Sequence, residues 1–130
     1  MKGKDMEKQM TIGGEEYTLK CSILTSESFE RTTGKKFGSA ITRYQKLSKA
    51  MNVLPEDEAN SYIVENIFDI EMDALQIAYC MIQEAKRKGF NQDFNKTMEE
   101  FISDVGTLSS EELKGVLQLA ASLFPRAVQK

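Results

Sequence analysis

The spacing of apolar residues changes period along the chain. In "QMTIGGEEYTLKC" (residues 9–21), Tyr17 and Leu19 alternate with Thr18 and Lys20, as in a strand with one covered face. Gly13-Gly14 lies between two short segments of β-type residues and supplies the positive φ angles of a tight hairpin turn. Beyond residue 25 the period becomes helical. Thr25 or Ser26 is expected to cap a short helix through Phe29 to Thr33, with Gly34 at its left-handed end. A second helix over about 36–51 lines up Phe37, Ala40, Ile41, Tyr44, Leu47 and Met51 on one face. Pro55 opens a third over about 55–68, with Ala59, Ile63, Ile67 and the adjacent Val64 and Phe68 turned inward.

The segment from Asp69 to Lys88 has a different pattern. "IAYCMI" (77–82) is an unbroken apolar run inside a helical pattern, so this helix is expected to be buried on nearly every side and to form the centre of the core. Cys80 within it reads as a small buried hydrophobe. Lys86, Arg87 and Lys88 favour the negative helix end, and Gly89 stops it. Two capping boxes follow, Thr97 to Glu100 and Ser109 to Glu112. The first opens a short helix with Met98, Phe101, Ile102 and Val105 inward. The second opens a longer one with Leu113, Val116, Leu117, Ala120 and Phe124 inward, closed by Pro125. The pattern predicts a mainly α fold of five to six helices with a short N-terminal β-hairpin. One domain is expected over 9–125, between a disordered leader at 1–8 and a flexible tail at 126–130.

Composition narrows the chemistry. The 130 residues are 41% hydrophobic and 28% charged, with net charge −3 and pI about 5.1, which argues against whole-chain attraction to nucleic acid or an anionic membrane. No apolar run approaches the ~20 residues that span a bilayer, and Met1 to Lys8 lacks a signal-peptide centre. Cys21 and Cys80 stand alone and far apart, without a disulfide framework or a CxxC pair. Histidine is absent, which removes the commonest general base and metal ligand. Gly13-Gly14 lacks the spacing of a phosphate loop, and "NQDFN" (91–95) lacks the frame of a calcium loop. Glu56, Asp57 and Glu58 are explained by the dipole of the helix they open. We expect no enzyme activity, no cofactor and no metal.

The charges are segregated. Between Arg31 and Lys49 lie six basic residues and no acid: Arg31, Lys35, Lys36, Arg43, Lys46 and Lys49. Between Glu56 and Asp73 lie seven acids and no base, among them Glu56, Glu58 and Glu65. Three readings follow. The blocks are solvated faces that partly neutralise each other within one molecule; or they are complementary edges for head-to-tail association, with Tyr44 and Phe68 as apolar contacts; or the basic helix 35–49 touches nucleic acid. The last lacks helix-turn-helix spacing and sits near repelling acids.

With these elements in order, the chain resembles a family. The hairpin "TIGGEEYTLKCSI" followed by a helix into "FERTTGKKF" is similar to the small tail assembly chaperones of long-tailed bacteriophages and prophages. "DALQIAYCMIQEAKRKG" resembles their central apolar helix, and "FNKTMEEFISDV" their capped helix before a last amphipathic one. The likeness spans about residues 10 to 124, and the stretch from Ser48 to Phe68 is longer than in compact members. The resemblance implies a non-enzymatic protein of the host bacterial cytoplasm that is absent from the mature virion. Its implied partner is the tape measure protein, with the tail tube protein as a second. Homo-oligomers and a longer, frameshifted form of the same chain are implied as well. Seven methionines provide the adaptable contact surface such a role needs. The alternatives are a small nucleic-acid-binding regulator using the basic helix and a structural head–tail completion protein.

Overall fold

The computed structural model describes residues 6–124. Strands β1 (Met6–Ile12) and β2 (Glu15–Cys21) form an antiparallel hairpin with Met6 opposite Cys21 and Ile12 opposite Glu15. Gly13 and Gly14 turn it at φ 61° and 86°. A Cβ on Gly13 would stand 3.2 Å from the Val105 side chain, so the turn lies close against a later helix. The strand begins at Met6, which corrects the expected leader: residues 6–8 are ordered sheet, and 1–5 lie outside the described residues.

Five helices follow among the described residues: α1 (Ile23–Thr33), α2 (Phe37–Val53), α3 (Glu56–Arg87), α4 (Met98–Val105) and α5 (Ser110–Ala121). The cap of α1 is Ser22 and not Thr25 or Ser26. Ser22 Oγ accepts from the Leu24 N–H at 3.1 Å, and the Thr25 hydroxyl returns a bond by accepting from the Ser22 N–H at 3.0 Å. Gly34 ends α1 in the left-handed region, as expected. In α2 the inward face is Phe37, Ala40, Ile41, Leu47 and Ala50, whereas Met51 is exposed.

Helix α3 is the main departure. Two helices were expected, meeting near residues 68–69, yet α3 runs unbroken for 32 residues. No glycine or proline interrupts it between Glu56 and Arg87, so nothing in the backbone stops propagation. Val64 and Phe68, expected inside, are 71% and 78% exposed. Ala59 is buried as expected, while Ile63 and Ile67 are half-buried.

Both later capping boxes form. Thr97 Oγ1 accepts from the Glu100 N–H at 3.1 Å, and Ser109 Oγ from the Glu112 N–H at 3.1 Å, with each glutamate bonding back. The stop at Pro125 lies outside the described residues. Helix α3 touches β2, α1, α2, α4 and α5, and its C-terminal half, where its buried residues are concentrated, is the core axis. Ile77, Met81 and Ile82 are fully buried there with Phe29, Phe37, Phe101 and Leu117. Tyr17, Tyr79, Phe94 and Phe101 close one side as a ring cluster with centroids 5.5 to 6.1 Å apart. No helix of the described residues is long and apolar enough to cross a membrane.

Candidate functional site: an apolar stripe on the α2–α3 arm

Chain direction reverses at Leu54-Pro55, so the end of α2 lies beside the start of α3 as a helical arm. Its outer side differs sharply from the core. Between Glu56 and Asp69 only Ala59 is buried, whereas beyond Ile70 most of α3 is covered. On this half of α3 three large apolar side chains reach solvent at a spacing of four: Val64, Phe68 and Met72. Spacing of four places them on one stripe. Asp73, which turns toward α2, lies five positions past Phe68, about 140° around the helix. The stripe therefore points away from the arm's own interior. Beside it run Glu58, Glu65 and Asp69, all exposed and spaced by seven and four. Hydrating three such side chains is unfavourable, and covering each one recovers at most about 1.5–3 kcal/mol, least for Met72, which is only 39% exposed. A surface of this kind fits an apolar partner with basic edges.

The predicted basic residues divide. Asp73, with its side chain 1% exposed, accepts from Lys35 Nζ at 2.9 Å on one oxygen and from Arg43 Nη2 and Nε at 2.8 and 2.9 Å on the other. Lys35 also donates to Gln76 Oε1 at 2.7 Å. These groups tie the α1–α2 turn and the middle of α2 to α3. Arg31 pairs with Glu27 on its own helix at 3.5 Å. Lys36, Lys46 and Lys49 are exposed, as are Glu56, Glu58 and Glu65, and no ion pair joins these two sets among the described residues. Thus part of the basic block neutralises the acidic block inside one molecule and part does not. Tyr44 is half-buried, its phenol pushed up from its ordinary value by desolvation, and it packs on the core. Tyr44 and Phe68 thus do not form one exposed contact.

Among the described residues, no group of three or more Cys, Asp or Glu side chains is placed to hold a metal ion. Every buried side-chain nitrogen and oxygen among the described residues has a hydrogen-bond partner. Buried Glu84 accepts from the Ser22 hydroxyl at 3.4 Å and pairs with Arg87, so it anchors the cap of α1 to α3. Burial pushes the Cys80 thiol up to about 11, which keeps it protonated and a poor nucleophile near neutral pH.

Sequence reasoning included Phe68 among the surface contacts but omitted Val64 and Met72. The available signal was the recurrence 64, 68, 72, offset from the 59, 63, 67, 70 face that meets α2. Compared with described protein families, curated proteins and solved structures, the chain has no match.

Proposed function

We propose that this chain is a non-enzymatic assembly chaperone of long-tailed bacteriophage tails, which binds the tape measure protein while the tail tube grows around it. The observation that carries the reading is the exposed Val64–Phe68–Met72 stripe flanked by Glu58, Glu65 and Asp69. An amphipathic helix with a basic margin is the natural complement of such a stripe, and helical partners dock through contacts spaced by three and four. Methionine at one end lets the surface adapt to a series of related segments along a rod. The fold is consistent with the reading: a hairpin, a helix into "FERTTGKKF" and two capped helices are present, with the core helix as the C-terminal half of α3. A nucleic-acid regulator is less favoured, because Lys35 and Arg43 of the basic helix are committed to Asp73. The proposed setting is the host bacterial cytoplasm, with the tail tube protein as a further partner.

The test is co-expression with a candidate tape measure protein. The expected result is that the tape measure protein stays in the soluble fraction with the native chain and precipitates with Val64→Ser/Phe68→Ser, whose thermal unfolding is unchanged because both positions are exposed. A tape measure protein that precipitates in both cases, or in neither, refutes the role of the stripe.

A further inference from the structure

The two edges of the hairpin are treated differently. On β2, the Thr18 N–H donates to Asn91 Oδ1 at 3.0 Å, and Asn91 Nδ2 donates back to the Thr18 carbonyl at 2.8 Å. A single side-chain amide thus makes the pair of bonds that a third strand would make. The neighbouring outward carbonyl, that of Lys20, accepts from the Thr25 hydroxyl at 3.3 Å. The middle of the β2 edge is thus closed, at Thr18 and at the Lys20 carbonyl.

This closure fixes the direction of the groups on β1. Both backbone groups of Thr18 point away from β1, so Thr18 and its partner Gln9 form a non-hydrogen-bonded pair. Gln9 therefore points its own N–H and C=O away from β2, as do Glu7 and Thr11, two positions to either side. Among the described residues, none of these groups has a hydrogen-bond partner, and all three side chains are exposed. A cleft runs along this open edge beside α5, lined at one end by Met10, Thr11 and Glu111 and at the other by Met6, Gly115 and Gln118, with Lys8 at both. Two of the usual protections of an edge are absent from β1, a proline and a bulge; the Glu7 carboxylate is paired to Lys20 at 2.7 Å, and the exposed Lys8 is the charge that guards this edge.

We propose that the occupant of this edge is a second copy of the chain, added antiparallel through β1 to make a four-stranded sheet ordered β2-β1-β1-β2. The register follows from side-chain chemistry. Centring the two-fold axis on Gln9 puts the three outward residues in hydrogen-bonded pairs: Gln9 with Gln9 of the second copy, and Glu7 with Thr11 in each direction. It also sets Lys8 of each copy opposite Met10 of the other, so each Glu111, which no ion pair joins to its own Lys8 among the described residues, gains the second copy's Lys8 at this end of the cleft. Shifting the axis to Lys8 places two lysines face to face, a destabilising arrangement. The contact is isologous and joins two molecules.

Sedimentation from micromolar to near-millimolar protein is the first test, with amide exchange read alongside. A monomer–dimer equilibrium is expected, with the Gln9 amide protected only where dimer is present. Gln9→Pro removes an outward N–H that the hairpin ladder does not use, an edge position where proline is tolerated. It should weaken dimerisation at least about tenfold with circular dichroism unchanged. The charge series decides independently, and alone if Gln9→Pro fails to fold. Lys8→Glu and Glu111→Lys should each weaken the dimer, and the two together in one chain should restore it. Glu111→Lys leaves the Ser109–Glu112 capping box intact. Each of three results overturns the assignment: a monomer throughout, a Gln9 amide protected in the monomer, or a dimer indifferent to both Gln9→Pro and the charge changes.

Discussion

With its carboxylate 1% exposed, Asp73 holds Lys35 and Arg43 at once, and the two sides of this cluster should not be equally costly to remove. The cations are 33% and 38% exposed at their side chains and regain water when the acid is lost. The acid has no such exit. Lys35→Met/Arg43→Met leaves a buried, unpaired carboxylate and should cost about 3–5 kcal/mol. Asp73→Leu fills the same space without a charge and should cost about 1–2 kcal/mol, the net worth of the bonds lost. Urea unfolding of the two variants measures both, and the reverse order of stabilities would show that Asp73 is not the hub of the cluster. Ordinary residue chemistry made parts of this scale legible from the sequence. The capping boxes at Thr97 and Ser109 were readable because a cap and its reciprocal glutamate lie three residues apart. The Asp73 cluster joins positions 30 and 38 residues apart, and only the packing of α2 on α3 brings them together.

Helix α3 serves two environments with one continuous backbone. Its C-terminal half is covered by most of the other elements, so the amides from Leu75 to Ile82 should be among the slowest to exchange. Fast exchange there, with slower exchange elsewhere, contradicts the placement of the core. Ile82→Asp buries a charge with no partner at a fully covered position and should cost several kcal/mol, enough to unfold the domain at room temperature as read by circular dichroism. The apolar run "IAYCMI" made this half legible, because a helix apolar on all sides is covered on all sides. The other half was misread. Asp69 stands where two apolar patterns differ in width, which suggested a boundary, but a change of environment does not break a helix. Val64 and Phe68 read as inward because they adjoin Ile63 and Ile67, and apolar character alone does not say whether its cover comes from the same chain.

For the whole molecule, the charge blocks contribute in two ways. Arg43 and Lys35 act within the fold, so reversing Arg43 would disturb stability and association together. Lys46 and Lys49 remain exposed on α2, with Glu58 and Glu65 exposed on α3. Association through these faces predicts species larger than a dimer that shrink as salt rises and disappear in Lys46→Glu/Lys49→Glu, measured by sedimentation. Large species indifferent to salt would exclude those faces. The sheet contact has a different arithmetic, set by Asn91. In the language of polymer chemistry, a hairpin with two open edges is a bifunctional monomer: each addition exposes a new reactive end, and growth continues into a fibre. Asn91 makes the hairpin monofunctional by occupying the Thr18 edge with its own amide. Two monofunctional units consume each other's only end, so the reaction terminates after one step. A single side chain thus fixes the valence of the sheet.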